Sequence, residues 1–244
     1  MNILWICTDQ QRADTLGCMG NKWVHTPNLD RLASEGVVFE NAYSQSPVCA
    51  PSRGSFLSGR YPRTCGPRQN GQDIDSRERL LPRILADNGY YCGLAGKLHL
   101  TACHPDTGRL EEARIDDGYH VFSWSHHPQP HQGTNWPANA YNRFLLKNGR
   151  DYITPDREDC TYVQTGVEET WHQTTWCADE ALRFMENARV FGKDWMFSLN
   201  CFDPHHPFDP PADYLQRYLD KLDQLPLPNY GEGELADKPV FQQK

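Results

Sequence analysis

Asn2 to Thr8, NILWICT, is apolar on both faces and gives way at once to the polar run DQQRAD. That pattern predicts a central parallel strand whose carboxyl end opens into a loop, with Asp9 at the strand end. TPNLDRLASEG follows, with Thr26 placed as N-cap, Pro27 at the first helical position, Leu29 and Leu32 on one face and Gly36 as the stop, which predicts a helix. VVFENAYS (37–44) reads as a strand. SRERLLPRILADNGY (76–90) reads as a helix kinked or begun near Pro82, and YYCGLAGK (90–97) as a strand delivering Lys97 at its end. A second strong helix is expected over TTWCADEALRFMENAR (174–189), where Trp176, Ala181 or Leu182, and Met185 recur at helical spacing. The strand DWMFSLNCF (194–202) then ends at DPHHPF.

Strands alternating with helices predict an α/β fold with a largely parallel central sheet flanked by helices and right-handed crossovers. Ligands of such sheets bind beyond the carboxyl ends of the strands. Three polar clusters fall there, Asp9, then Lys97 with His99, then His205 with His206, and they come from three distant segments. From about Leu110 to Glu169 the chain is rich in Trp, His, Pro, Asn and Gly with little periodicity, and reads as a lid or long insertion. Its histidines, including His126, His127 and His131, could line a substrate pocket, but a solvated loop is the favoured expectation. No internal repeat or low-complexity segment is evident.

Composition narrows the partners. At 244 residues the chain can bury roughly 70% of the surface its unfolded form exposes, enough for a sizeable core. With 24 basic against 32 acidic residues, a net charge of −8 and no basic tract, it lacks the electrostatic footprint of a nucleic-acid binder. No apolar run of about 18 residues is present, so no membrane partner is expected. The first residues lack a basic n-region and a cleavage motif. As written the chain is expected to be cytoplasmic, or periplasmic or secreted if a leader was removed. Nine cysteines at scattered spacings, none in a C-x-x-C pair, fit reduced core thiols better than a disulfide framework or zinc ribbon.

Cys49 stands apart because of its surroundings, CAPSRGSFLSGR (49–60). Pro51 suits a first helical turn, so Cys49 falls at a helix N-terminus, where unpaired N–H groups and the macrodipole favour anions. Arg53 adds a fork of donors that matches a tetrahedral oxyanion. Local features leave two readings open: a core thiol, or a cysteine nucleophile of lowered pKa with His99 or His205 as base.

The pattern C-x-P-S-R followed by L-x-G-R resembles the signature of the type I sulfatases of the alkaline phosphatase superfamily. Residues 2–62 resemble the amino-terminal block of that family, AGKLHL (95–100) its G-K-x-H segment and DPHHPF (203–208) its P-H-x-P-F/Y segment. The resemblance implies that Cys49 is oxidised to formylglycine. One hydroxyl of the aldehyde hydrate attacks the sulfur of a sulfate ester and the alcohol leaves; the second hydroxyl loses its proton, and the collapse to aldehyde expels sulfate by C–O cleavage. It also implies Ca²⁺, or another divalent metal, on Asp9, Gln10 and residue 49, where Gln10 replaces the second Asp of many members and an amide oxygen can still coordinate. By the same resemblance, Arg53 would neutralise the nucleophile's environment, Lys97 and His99 would contact the sulfate and the hydroxyls, and His205 would contact the leaving-group oxygen. His206 fills the variable position, and Asp14 is a helix-start residue.

The chain departs from that family in length and in its later motifs. Sulfatases of this type are about twice as long and complete the metal site within an S-D-H-G or similar run, which is absent here, as is a recognisable late lysine. Asp116 and Asp117 in IDDGYHVF precede DPHHPF and match a different family segment, so they are not ligands. The expectation is the amino-terminal part of a sulfatase catalytic domain with the carboxy-terminal part absent, completed by that segment or by a homo-oligomer partner. Its substrate would be a sulfated small molecule or saccharide. The alternatives are a phosphonate or phosphodiester hydrolase of the same superfamily and a non-catalytic half-domain in which Cys49 stays a thiol.

Overall fold

The computed structural model describes residues 1–104, 108–128, 136–155, 162–225 and 231–240. Four parallel strands, β1 (Ile3–Cys7), β2 (Tyr91–Gly96), β3 (Val121–Trp124) and β4 (Trp195–Asn200), pair in the order β1-β4-β2-β3. The central pair is in register from Tyr91 opposite Trp195 to Gly96 opposite Asn200. Both strands are apolar on both faces, as strands covered by helices on either side require. Cys92, Leu94 and Met196 pack against Leu57, Leu80 and Trp124 on one face. Ala95, Phe197 and Leu199 pack against Trp176, Ala181 and Phe184 on the other.

The helices form from local signals. Pro27 opens α1 (Pro27–Glu35) and Pro82 sits in the first turn of α4 (Leu81–Asp87), positions where a missing N–H costs no hydrogen bond. Between them lie α2 (Cys49–Ser58), closed by Gly59 in the left-handed conformation, and the single turn α3 (Pro62–Cys65). Asn139 caps α5 (Ala140–Lys147) by accepting from the Tyr141 and Asn142 N–H groups. The long α6 (Gln173–Phe191) runs from the His172 cap to Gly192 and packs on β2 and β4. Gly93 makes that packing possible, since a Cβ there would lie 2.6 Å from the Phe184 ring and 2.9 Å from Phe197.

Three expectations are corrected. Among the described residues β1 is an edge strand rather than a central one, paired with β4 alone, and its outward Leu4 and Ile6 are 44% and 55% exposed. VVFENAYS is irregular, because no described strand lies beside it to satisfy its backbone, and Val37 and Phe39 stand exposed. The segment from about 110 to 169, read as a lid or long insertion, is no separate lid: its described residues supply β3 and α5 to the body of the fold and contribute Trp124, Trp136, Tyr141, Leu145 and Tyr152 to its core. α1 forms as expected with Leu29 and Leu32 on the surface, and the Thr26 hydroxyl donates to Asp30 rather than capping the helix.

The chain divides into two compact units, Met1–Ala212 and Asp213–Lys244. The first holds the sheet. The second begins within α7 (Ala212–Leu219) and carries short 3₁₀ turns at Leu222–Gln224 and Glu234–Asp237. The eight cysteines among the described residues are free thiols. No helix among them is long and apolar enough to cross a membrane.

Candidate active site

The carboxyl ends of β1, β2 and β4 deliver the polar residues that lie together. Asp9, two residues past β1 and 5% exposed, donates its backbone N–H to the Asp203 carbonyl beyond β4 (3.1 Å). Its carboxylate accepts from Lys97 Nζ at 2.6 Å and from an Arg53 guanidinium nitrogen at 3.3 Å. Lys97 is 1% exposed and Arg53 is buried, so this is an ion triad inside the protein, where one carboxylate faces two cations. Burial pushes the Asp9 carboxyl up, and the Lys97 and Arg53 charges outweigh it and hold the carboxyl below the usual Asp range.

Cys49 is the first residue of α2, with Val48 as N-cap, so the expected helix N-terminus is present. Its thiol lies 3.7 Å from Asp9 Oδ1. Arg53, four residues on, occupies the same helix face and reaches both Asp9 and the Lys97 carbonyl, the latter at 2.8 Å. That carbonyl also accepts from Asn200 Nδ2 at 2.8 Å. β2 and β4 can close this tightly only because residue 96 is glycine: at φ +102° a Cβ would sit 1.9 Å from the Asn200 carbonyl oxygen.

The backbone of His99 is left-handed, with φ 58°, and Glu112 accepts from the successive N–H groups of residues 99, 100 and 101. Nδ1 of His99 is buried with no hydrogen-bond partner among the described residues. Burial, reinforced by the Lys97 and Arg53 charges, holds this imidazole down to about 3. His205 lies across the site, and its Nδ1 stands 2.6 Å from the His206 carbonyl. A carbonyl only accepts, so Nδ1 carries the proton and Nε2 of the neutral ring is left as the acceptor. Burial lowers the His205 pKa as well.

Gln10 has φ 59° and an exposed side chain; it lines a cavity of about 310 Å³ with Asp9, Cys49, Arg53, Ser44 and Ser46. His206 is exposed and stacks on His205. Asp14 pairs with Arg12 on the surface, while Asp116 and Asp117 pair with Arg83 and Arg114. His126 and His127 correct the solvated-loop expectation. The first sits edge-on to His99 at 4.8 Å, and the second lies 4.6 Å from the Phe202 ring and 5.8 Å from His205. His131 lies outside the described residues. Glu112 and Asn200 escaped the sequence reading. Asn200 could have been marked as the one amide ending an apolar strand, whereas Glu112 carries no local signal.

Asp9, Cys49 and His205 present ligand atoms within 4.8 Å of one another, and so could hold a metal ion. Ca²⁺ takes about six to eight oxygens, whereas here one carboxylate and the Gln10 amide are on offer and Lys97 and Arg53 already engage the carboxylate. The described residues therefore do not fit Ca²⁺ by themselves. Two buried cations, a helix N-terminus and an unpartnered imidazole nitrogen suit a tetrahedral oxyanion instead.

Parallel strands covered by helices, with these groups beyond the strands' carboxyl ends, define the class as an α/β protein with a polar site at its strand ends. The backbone superposes on the phosphonate monoester hydrolase SpPMH from Silicibacter pomeroyi with a TM-score of 0.71 at 24% identity, covering 98% of this chain and 49% of that one, a likeness of fold. Residues 1–229 match the family model described as Sulfatase, and the chain belongs to that family. It is 32% identical over 239 residues to an arylsulfatase of Clostridium perfringens, an alignment covering 95% of this chain and 48% of the relative. With iduronate 2-sulfatase of Mus musculus it shares 30% identity over 240 residues, 94% of this chain and 40% of the relative. The chain thus spans about half the length of the curated relatives it matches.

Proposed function

We propose that this chain carries the nucleophile side of a sulfuric-ester hydrolase, with Cys49 matured to formylglycine and a sulfated small molecule or saccharide as substrate. The observation that carries the reading is the placement of Cys49 at the N-terminus of α2, against Asp9 and beside the buried cations Arg53 and Lys97. Membership of the sulfatase family supports it, as do relatives named for aryl sulfates and for iduronate 2-sulfate.

In the matured site the aldehyde hydrate supplies one hydroxyl as nucleophile and a second whose deprotonation releases sulfate by C–O cleavage. Arg53 and Lys97 hold the negative oxygens, and burial makes their charges count for more than they would in water. His99 is held neutral by burial and by the Lys97 and Arg53 charges, which makes it a weak base in the empty site; an incoming oxyanion beside its free ring nitrogen raises its affinity for the hydroxyl proton. His205, anchored through Nδ1 to the His206 carbonyl, turns Nε2 toward a leaving-group oxygen. An incoming anion favours protonation at that nitrogen. A divalent ion at Asp9 would need further oxygen donors, so the described residues alone should bind Ca²⁺ weakly.

The test is turnover by protein produced in a host that matures sulfatases, comparing an aryl sulfate with an aryl phosphonate monoester. The proposal expects the sulfate ester to be preferred and Cys49→Ala to abolish its hydrolysis. A preference for the phosphonate would assign the site to phosphorus chemistry instead.

A further inference from the structure

Glu112 lies thirteen residues beyond His99 in a segment with no local sign of function, yet it is 3% exposed and accepts four N–H donors. Oε2 accepts from the His99 backbone at 2.7 Å and from the Trp124 indole at 2.7 Å. Oε1 accepts from the Leu100 and Thr101 backbones, the latter at 3.1 Å. Three consecutive amides converging on one anion form a nest, a geometry that a left-handed residue within the run creates; here that residue is His99. Burial pushes the Glu112 carboxyl up from the ordinary range, and the four donors pull it the other way. Each oxygen already faces two N–H groups, which leaves no direction for a carboxyl proton.

The same carboxylate is braced from the far side. Trp124 meets Trp136 edge-on at 5.3 Å, and His126, two residues after Trp124, packs edge-on against the His99 ring at 4.8 Å. Backbone and ring of His99 are therefore both referred to Glu112, one directly and one through the end of β3. We propose that Glu112 is a positioning residue, whose carboxylate holds the His99 backbone left-handed and so aims the His99 imidazole into the oxyanion site. This rests on the hydrolase reading only for what His99 does; its placement can be tested without turnover.

Glu112→Gln keeps size and shape but turns an NH₂ group toward N–H donors, so the nest cannot close. The measurement is the ring ¹⁵N spectrum of His99 in protein labelled at histidine, assigned by loss of the signal in His99→Gln. The expected result is that E112Q moves or splits the His99 ring signals. In matured, active protein, E112Q should also lower kcat on the order of a hundredfold with KM little changed, the consequence of a misplaced catalytic group. Should E112Q not fold, Glu112→Asp, which keeps the charge and withdraws it by one methylene, is read in the same way. His99 ring signals unchanged in the folded variant, with only a lower melting temperature, would show a purely structural carboxylate and overturn the proposal. Moved signals in a protein whose unsubstituted form hydrolyses no sulfate ester would sink the hydrolase reading and leave the positioning role standing.

Discussion

Asp9 is the residue on which the site's charge balance turns, since among the described residues its carboxylate alone pairs with both Lys97 and Arg53. Removing one partner of a buried ion pair is costly because the other charge stays buried, and the three members are not equivalent. Asp9→Asn leaves two cations facing each other without an anion, whereas Lys97→Met leaves Asp9 still paired to Arg53. Urea denaturation should therefore show D9N destabilised by about 3–5 kcal/mol and K97M by clearly less. Equal losses would mean that Arg53, at the longer distance of 3.3 Å, does not share the carboxylate. At this scale much was legible in the sequence. Asp9, Cys49, Arg53, Lys97, His99 and His205 were all marked from strand ends and motifs, and the fold brings them together. What could not be read was the conformation that brings them there, because the turn at His99 depends on a carboxylate from outside its own segment.

The elements follow the same division. β2, β4, α1, α4 and α6 were visible because their periodicity and their proline and glycine signals are local. β3 was not: four residues, VFSW, within a run of aromatic and polar residues carry too little pattern, and the strand exists because β2 offers it an edge. The strand expected over residues 37–44 failed for the converse reason, an apolar run with no described neighbour to pair with. Between sheet and helix, Gly93 is the tightest joint. Gly93→Ala would press a methyl against two rigid rings, Phe184 and Phe197, and overpacking of that kind costs about 1–3 kcal/mol. A chemical melt of G93A that matches the parent would show that α6 can move off the sheet without penalty.

On the scale of the whole molecule, β1 pairs with β4 on one side and has no other described strand beside it. An edge strand presents unpaired backbone groups, and here it also exposes Leu4 and Ile6. Such an edge invites pairing with another chain, so the isolated chain should associate in a concentration-dependent way by sedimentation velocity. Ile6→Lys, placing a charge on the exposed face, should reduce that association without lowering the melting temperature. A parent that stays monomeric at high concentration would show that β1 is protected in some other way.

The account as a whole depends on what residue 49 is. Its most direct test is the mass of the tryptic peptide containing Cys49, from protein made in a host able to mature sulfatases, with and without an aldehyde-reactive probe. A peptide lighter than the thiol form that captures the probe is the predicted result, and it places an aldehyde at the N-terminus of α2 beside Arg53 and Lys97. A peptide that stays an alkylatable thiol in that host would contradict the account and leave a sulfatase-like fold whose nucleophile is never made.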